Sequence, residues 1–294
     1  MKNIKILTHR GLDPSRPGYF GESSLEAFRD QLARGYGLEF DIQFTQDEVM
    51  IAVHDATLKR ITAGRDKRKF NEVRAEEILG MEFDNSHFTT LPQLLTLIAR
   101  TQSPEALSAL HFKATWQEPR LLSPLLHEIK KSAITRDQFI IFDVKPDTAK
   151  FIKEKMPELV LAASVSHPYD IERYNAVVGG TLISLEEILS FQDLYSWAWL
   201  DEWDLVDQGG TRKKLCTEDV FARLRAAGLK IALVTPELHA HSPGLLGGES
   251  HEDGTDHKRL LARFRKIIAL APDAICTDYP DEVRALAEKE FFSK

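Results

Sequence analysis

The side chains in this sequence that could do acid–base chemistry come at the ends of short apolar runs. His9 ends the first run, and His54 ends a later one. Histidine is the side chain that most readily accepts and donates a proton near neutral pH. One histidine at the end of a strand is more often a structural residue, so the hypothesis of an acid–base pair depends on both.

Two carboxylates, Glu39 and Asp41, stand one residue apart in a run that alternates apolar and polar residues. Both side chains would point to the same face of a strand, a few ångström apart. Their mutual repulsion would raise one pKa unless a cation lay between them, so we predict a divalent metal ion there. In the alternative interpretation, one carboxylate faces solvent or pairs with Lys113.

Cationic side chains accompany these groups. Arg10 follows the first histidine directly, and Lys113 shares a strand face with His111. Arginine presents a planar fork of donors that matches a phosphate group, and lysine presents a point charge. We therefore treat Arg10 and Lys113 as candidate phosphate-binding residues, with Asp143 and Asp278 as further polar residues at strand ends.

The elements that would position these residues alternate between strand and helix. This alternation predicts a mostly parallel sheet with helical crossovers, and about eight units favour an α/β fold of the closed (β/α)8 TIM-barrel class. No Gly-rich nucleotide-binding loop opens a helix, which argues against an open sheet of that type. Predicted strands are Ile4–Thr8, Leu38–Phe44, Val49–His54, Leu107–Phe112, Phe139–Phe142, Val160–Ala163, Thr181–Ser184, Leu229–Val234 and Ala274–Thr277. Predicted helices are Glu22–Arg34, Pro119–Ser132, Thr148–Lys155, Leu185–Phe191, Glu218–Ala227 and Lys258–Leu270.

Composition is that of an ordinary globular protein, with 43% hydrophobic and 28% charged residues. We see no linker between two domains, so we predict one barrel domain over residues 1–294 with an inserted loop at 239–257. A net charge of −7 argues against broad electrostatic binding to nucleic acid. Two cysteines, Cys216 and Cys276, exclude a disulfide framework and a Cys-rich zinc site.

The sequence carries no signal for a membrane span or for secretion. No apolar run approaches the roughly 20 residues that a transmembrane helix needs. The apolar stretch near the start is too short for a signal-peptide core and has no small-residue cleavage site. We therefore expect a cytoplasmic protein without a membrane span.

In this order, these residues resemble the glycerophosphodiester phosphodiesterase family. The resemblance is densest over residues 6–62 and continues through Leu91-Pro92 to the segment Thr277-Asp278-Tyr279, so it covers nearly the whole chain. The family's motifs correspond here to His9-Arg10-Gly11, Glu22-Ser23-Ser24, Glu39-Phe40-Asp41, His54-Asp55 and Leu58-Lys59-Arg60 with Thr62.

The resemblance implies a barrel that binds one divalent cation (Mg²⁺, Ca²⁺ or Mn²⁺). It also implies hydrolysis of a phosphodiester to glycerol 3-phosphate and an alcohol, a reaction of lipid metabolism. The residues carried over are Glu39 and Asp41 as metal ligands, His9 and His54 as the acid–base pair, and Arg10 and Lys113 as phosphate-binding residues.

One departure from the family pattern affects the metal site. The family has Glu-x-Lys on the third strand, whereas this chain has His111 followed by Lys113. His111 could itself be the third ligand, and an imidazole would favour a transition metal over Ca²⁺ or Mg²⁺. Alternatively, Asp143 could supply the missing carboxylate, or the metal site could be weakened and the barrel could only bind a ligand.

A second departure lies in the seventh strand, where the family often reads Trp-Thr-x-Asn. This chain reads Leu233-Val234-Thr235-Pro236-Glu237, and Trp199 and Trp203 could supply an aromatic surface instead, unless they pack in the core. Both departures predict a substrate other than simple glycerophosphocholine or glycerophosphoethanolamine.

We interpret the sequence as a metal-dependent phosphodiesterase acting on a small glycerol- or polyol-linked phosphodiester. One alternative is a phospholipase D-like lyase that forms a cyclic phosphate. Another is a non-catalytic barrel that binds a phosphorylated ligand, against which the presence of both His9 and His54 argues.

Overall fold

In the computed structural model, which describes residues 4–206, 209–238 and 251–292, eight parallel strands close into a barrel. The predicted (β/α)8 TIM-barrel class is confirmed. The strands are β1 (Lys5–His9), β2 (Gly37–Phe44), β3 (Met50–Ala52), β4 (Glu82–Phe83), β5 (Ser86–His87), β6 (Ser108–His111), β7 (Phe139–Phe142), β8 (Val160–Val165), β9 (Leu182–Ile183), β10 (Trp197–Leu200), β11 (Lys230–Val234) and β12 (Ala274–Thr277). The α-helices are α1 (Leu25–Ala33), α2 (Ala75–Leu79), α3 (Leu91–Thr101), α4 (Pro119–Lys131), α5 (Pro146–Lys155), α6 (Pro168–Val178), α7 (Leu185–Ser190), α8 (Glu218–Ala226), α9 (His257–Ala269) and α10 (Pro280–Phe292). Short 3-10 helices cover Phe70–Glu72, Ala114–Trp116, Arg136–Gln138 and Glu252–Gly254.

The barrel strands follow one another around the ring in the order β1, β2, β6, β7, β8, β10, β11 and β12, and β12 pairs with β1 to close it. Each of these neighbouring pairs is parallel. Parallel strands joined by crossovers bring all their carboxyl ends to one mouth of the barrel. Side chains at those ends therefore converge although they are far apart in sequence.

The hydrophobic core has two layers because each barrel strand is covered on both faces. The four residues of β7, Phe-Ile-Ile-Phe, are all buried, as expected for a strand inside a parallel sheet. Alternate residues such as Leu7, Ala109 and Cys276 fill the barrel interior, and the others pack against the helices. Cys276 is thus a buried residue of the barrel interior.

Helix α1 begins directly after a capping serine. Ser24 has extended backbone angles, and its hydroxyl accepts a hydrogen bond of 3.1 Å from the backbone N–H of Ala27. This bond satisfies one of the donors that every helix leaves free at its first turn. The buried face of α1, with Phe28 and Leu32, then packs on the outside of the barrel.

The sixth barrel strand differs from the sequence prediction. The predicted strand Thr181–Ser184 is only the two-residue β9, which pairs with the end of β8 outside the closed ring. The ring position belongs to β10, Trp197–Leu200, which the sequence analysis missed. A four-residue apolar run has no measurable periodicity, because a strand buried on both faces does not alternate.

A hairpin carries His54 to the barrel mouth, and it joins the two strands predicted at Leu38–Phe44 and Val49–His54. Strand β3 is antiparallel to β2, and the turn between them is closed by a 3.0 Å hydrogen bond from Thr45 N–H to the carbonyl of Val49. The backbone N–H of Val53 donates to the carbonyl of Asp41 at 3.0 Å. His54, the next residue, is therefore held beside Glu39 and Asp41 on β2.

The predicted inserted loop at 239–257 is described only in part, because residues 239–250 lie outside the described residues. From His251 onward the chain forms the short 3-10 helix and enters α9, with Asp256 as its cap. His251 is fully buried. Among the described helices, none has the length and apolar character required to cross a membrane.

Candidate active site

A cavity of about 700 Å³ opens at the mouth formed by the carboxyl ends of the barrel strands. Its lining joins residues from strands that are distant in sequence, as the barrel topology requires. The candidate catalytic, phosphate-binding and metal-binding residues from the sequence all line it: His9, Arg10, Glu39, Asp41, His54, His111, Lys113 and Asp143. Asp278, the other polar residue noted at a strand end, is not among the lining residues.

Glu39, Asp41 and His111 form a cluster with the composition of a metal site. Asp41 on β2 and His111 on β6 are direct neighbours in the parallel register. One potential ligand atom from each of the three residues lies within 4.8 Å of the others. Oε2 of Glu39 is buried and has no hydrogen-bond partner among the described residues. Because an unpaired buried carboxylate is costly, the cluster fits a divalent cation that would share this oxygen.

His111 is held between two carboxylates. Its Nδ1 lies 2.8 Å from Oδ1 of Asp41, and its Nε2 lies 3.3 Å from Oδ2 of Asp143. Burial by itself would lower the pKa of His111, but Asp143 and Asp41 together raise it to about 10. The ring also stacks on Phe142, with 4.8 Å between ring centroids. Both predicted candidates for the third ligand, His111 and Asp143, therefore lie at the site and contact each other.

The two candidate acid–base histidines are each oriented by a carboxylate. Nδ1 of His9 lies 2.9 Å from Oδ1 of the fully buried Asp278, and Nδ1 of His54 lies 2.9 Å from Oδ1 of Asp55. A hydrogen bond at Nδ1 fixes the ring and leaves Nε2 as the nitrogen available to a molecule in the cavity. The sequence shows Asp55 beside His54 and Asp278 at a strand end, but only the fold shows that both orient histidines.

The surroundings of His54 favour its neutral form. Burial, and then the positive charge of Arg10, lower the pKa of His54 to about 4. For Asp55, burial opposes ionisation, but hydrogen bonds from His54 and Arg60 hold its pKa well below its usual range. At neutral pH, His54 is thus an uncharged imidazole that can accept a proton, fixed by an ionised aspartate.

Both candidate phosphate-binding residues lie against Asp41. Nε of Arg10 is 3.6 Å from Oδ2 of Asp41, and Nζ of Lys113 is 3.2 Å from Oδ1. Lys113 also donates a 2.7 Å hydrogen bond to the carbonyl of His54. The pairing of Lys113 with a carboxylate, considered above as an alternative to metal binding, is therefore present beside a cluster that still fits a cation.

Comparison with known proteins adds independent information. The sequence model of the glycerophosphoryl diester phosphodiesterase family matches residues 9–282. The chain belongs to this family. Its members are phosphoric diester hydrolases, which is the enzyme class predicted from the sequence.

Solved structures similar to this phosphodiesterase family member include a putative glycerophosphoryl diester phosphodiesterase from Silicibacter pomeroyi, with a TM-score of 0.67, 17% identity, and coverage of 99% of this chain and 95% of that one. A phosphodiesterase from Oleispira antarctica, solved with the product sn-glycerol-3-phosphate, has a TM-score of 0.63 and 15% identity over 97% of this chain and 96% of that one. At these identities the structures support the shared barrel fold. Glycerophosphodiester phosphodiesterase 1 of mouse is 32% identical over 102 residues, so the match spans 32% of this chain and 30% of the mouse protein.

A network of ion pairs around the site in this phosphodiesterase-family barrel joins the segment after β1 to the segment that contains His54. The sequence analysis did not predict this network. Arg60 donates to both oxygens of Glu22, at 2.6 and 3.0 Å, and to both oxygens of Asp55, at 2.8 Å each. Glu22 in turn lies 3.5 Å from Arg10. The motif residues Glu22 and Arg60 thus support the positions of Arg10 and Asp55.

A fully buried carboxylate, Glu237, contacts Asp278, the residue that orients His9 in the family barrel. Its Oε1 accepts hydrogen bonds from the hydroxyls of Thr235 and Thr277, at 2.6 and 2.7 Å, and from the backbone N–H of Asp278 at 3.0 Å. Burial and the charge of Asp278 raise the pKa of Glu237 to about 7. The sequence marked this segment only as a departure from the family pattern.

Proposed function

We propose that this chain is a metal-dependent glycerophosphodiester phosphodiesterase that releases glycerol 3-phosphate and an alcohol. The observation that carries the proposal is the position of two carboxylate-oriented histidines, His9 and His54, at one cavity with a potential cation site. Membership of the phosphodiesterase family supports the reaction class. A barrel that only binds a ligand has no need for two such histidines.

We assign Glu39, Asp41 and His111 as the residues that would hold one divalent cation. His111 would release its Nδ1 proton when the cation binds, because a ligating histidine is neutral. When bound, the cation would neutralise negative charge on the phosphate as it develops. Nδ1 of His111 lies on the side of Asp41, while its Nε2 contacts Asp143. A carboxylate that accepts the second N–H of a ligating histidine is a common arrangement around protein metals. We therefore assign Asp143 to the orientation of His111, and the imidazole favours Mn²⁺, Co²⁺ or Zn²⁺ over Ca²⁺ and Mg²⁺.

In this proposal Arg10 and Lys113 bind phosphate oxygens. The positively charged side chains of Arg10 and Lys113 both lie beside Asp41 at the cavity wall. A phosphate group that contacts the metal-binding residues would therefore come within their reach. The fork of Arg10 can hold two oxygens at once, whereas Lys113 acts as a point charge. These contacts orient the phosphorus for attack from one side.

We assign His54 as the general base and His9 as the general acid. Because the pKa of His54 is about 4, its ring is uncharged at neutral pH and can take a proton from the attacking oxygen. His9 then gives a proton to the leaving alcohol. Each transfer contributes roughly 10²- to 10⁴-fold to the rate. The attacking oxygen is that of water in the hydrolase, whereas a substrate hydroxyl would give the cyclic phosphate of a lyase.

The test is phosphodiesterase activity on bis(p-nitrophenyl) phosphate and a panel of glycerophosphodiesters, after chelation and with single metals added back. We expect turnover with Mn²⁺ or Co²⁺ and a loss of at least about 100-fold in His9→Ala and in His54→Ala. His127→Ala is the matched control, because His127 is exposed on α4 and away from the cavity. Phosphorus NMR of the products separates a free monoester from a cyclic phosphate. Absence of activity with every metal, or full activity in both His9→Ala and His54→Ala, would refute the proposal.

A further inference from the structure

The cavity has two chemically different halves because of the strand order. The candidate catalytic and metal-binding residues come from β1, β2 and β6 and from the hairpin after β2. In the ring of eight strands, β8 and β10 lie opposite β1 and β2. The lining on that opposite side comes from residues such as Phe142, Ser164, Trp199 and Val234.

Aromatic rings form a continuous stack from the metal cluster into this second half. The rings of Phe142 and Trp199 are nearly parallel, at 12°, with centroids 3.9 Å apart. His111 stacks on Phe142, so the series of three rings begins at a candidate ligand. Trp199 is 2% exposed, which means that its neighbours fix its position. The parts of these rings that line the cavity are therefore apolar and fixed in position.

Three further apolar residues line the same cavity. Val177 and Val178 at the end of α6, and Leu182 on β9, also line it. Val177 is 44% exposed, which is unusual for a large aliphatic side chain in this protein. We call Phe142, Trp199, Val177, Val178 and Leu182 the apolar subsite.

Charge is distributed unevenly between the halves. Among the described lining residues, the cationic and imidazole groups all come from the half that carries the metal cluster. The charged lining residues that follow β7 and β10 are the carboxylates Asp143 and Asp201. A second anionic group on the substrate would therefore be disfavoured next to the apolar subsite.

The cavity is larger than glycerol 3-phosphate requires. Its volume of about 700 Å³ lies in the range of roughly 300–1,000 Å³ that accommodates drug-sized ligands. With the phosphate placed against Arg10 and Lys113, volume remains for the alcohol part of a substrate, and the apolar subsite is part of the lining around it. The apolar side chains of this subsite favour contact with a hydrocarbon chain over contact with a small hydrated head group.

We propose that the apolar subsite binds a hydrocarbon chain on the alcohol side of the phosphodiester. The inference deepens the proposed function and rests on it for the position of the phosphate. It names the substrate class as a glycerophosphodiester whose alcohol bears an alkyl or acyl chain. A choline head group beside Trp203 and Asp201 is the competing occupant, and the experiment includes it.

The first measurement is binding without turnover. Ethyl, butyl and hexyl phosphate are titrated into the Mn²⁺-loaded protein, and the change in tryptophan fluorescence is followed. We expect affinity to increase roughly threefold for each methylene that enters the apolar subsite. Equal affinity for ethyl and hexyl phosphate, or tighter binding of phosphocholine than of hexyl phosphate, would overturn the inference.

A pair of surface variants locates the effect. Val177→Glu places a charge at the rim of the apolar subsite, and Val206→Glu is the control, since Val206 is 36% exposed and does not line the cavity. Val177→Glu should weaken hexyl phosphate binding about tenfold and leave ethyl phosphate unchanged, while Val206→Glu should change neither. Equal effects of the two variants on hexyl phosphate would contradict the assignment.

Turnover separates this inference from the proposed function. In wild type, kcat/KM for the hexyl ester of glycerol 3-phosphate should exceed that for glycerophosphocholine, and Val177→Glu should raise KM for the hexyl ester with little change in kcat. Chain-length-dependent binding without turnover of any diester would support the subsite and refute the proposed reaction. Turnover that favours glycerophosphocholine would support the reaction and refute the subsite.

Discussion

Two residues at the barrel mouth adopt backbone angles that L-amino acids normally avoid. Arg10, directly after β1, has φ of 54°, and Asp143, directly after β7, has φ of 66°. Such conformations cost about 1–3 kcal/mol each and persist where the surrounding structure enforces them. Both turns direct a candidate site residue into the cavity: Arg10 toward Asp41, and Asp143 toward His111. Strain at these two positions therefore belongs to the construction of the site.

At the level of single residues, the state of His54 makes a prediction about pH. A base with a pKa of about 4 is deprotonated at neutral pH and remains so in mildly acidic solution. It becomes protonated, and unable to act as a base, only as the pH falls through about 4. We expect the acidic limb of kcat/KM, measured with bis(p-nitrophenyl) phosphate at saturating Mn²⁺, to lie well below the ordinary histidine value of about 6.5.

The same limb should respond to the charge of Arg10, which contributes to the low pKa. Arg10→Gln is expected to reduce the rate and to move the limb upward toward about 6.5. Arg65→Gln, in an exposed turn, is the control. A wild-type limb already at about 6.5 would mean that His54 is not the base.

At the level of elements, the ends of β11 and β12 are joined through Glu237. The folded protein raises the pKa of this carboxyl from 4.5 to about 7. Between these values the folded chain retains a proton that the unfolded chain has released. The favourable contribution of protonated Glu237 is thus complete below about pH 4.5 and is lost as the pH rises through about 7.

Glu237→Gln removes this titration while keeping an oxygen for the hydroxyl donors. Its free energy of unfolding, relative to wild type, should increase by on the order of 2–3 kcal/mol between about pH 5 and pH 8. Urea denaturation at both pH values measures the difference. Glu158 is exposed, so for Glu158→Gln the difference in free energy of unfolding from wild type should be the same at both pH values. An equal difference at both pH values for Glu237→Gln would contradict the raised pKa of Glu237.

Strand β2 can approach β6 closely because it begins with glycine. A Cβ on Gly37 would lie 1.7 Å from the backbone carbonyl oxygen of Leu107, so the two chain segments would have to separate. We expect Gly37→Ala to destabilise the barrel by about 3 kcal/mol or more, seen as a lower Tm.

Gly80→Ala is the matched control for this prediction. A Cβ at Gly80 would be 3.4 Å from the nearest backbone atom, which is ordinary contact, and the backbone there has a common helical conformation. A Tm of Gly37→Ala equal to that of Gly80→Ala would show that β2 and β6 tolerate the displacement.

At the level of the whole molecule, a cation held by Glu39, Asp41 and His111 would connect β2 to β6. Any ligand that binds only the folded state stabilises it, by about 2.7 kcal/mol at 100 times its Kd. We expect Mn²⁺ to raise Tm by roughly 5 °C, and Ca²⁺ to raise it less.

Asp143→Asn tests the proposed orienting role of this carboxylate through the affinity for Mn²⁺. Loss of the carboxylate that contacts Nε2 of His111 should weaken Mn²⁺ about 10- to 100-fold, as measured by calorimetric titration. Asp147→Asn is the control, because the Asp147 side chain is 97% exposed on the neighbouring helix. Equal Mn²⁺ affinity in Asp143→Asn and wild type would leave Asp143 without a role at the metal.

Local patterns in the sequence determine much of this protein. Strand–helix alternation predicts the barrel, and the spacing of Glu39 and Asp41 predicts two carboxylates on one face, because these properties depend on residues close together in the chain. The resemblance to the phosphodiesterase family assigned roles to His9 and His54, and the cavity contains both.

Only the tertiary structure decides contacts between distant segments. Asp278 reaches His9 across 269 positions, and Arg60 joins Glu22 to Asp55, yet no local pattern links these residues. Strand β10 was missed because a strand covered on both faces loses its alternation, although the sequence analysis named Trp199 on this strand as a candidate aromatic surface. Closure of the barrel brings these segments together, since each strand delivers its last residues to the same mouth.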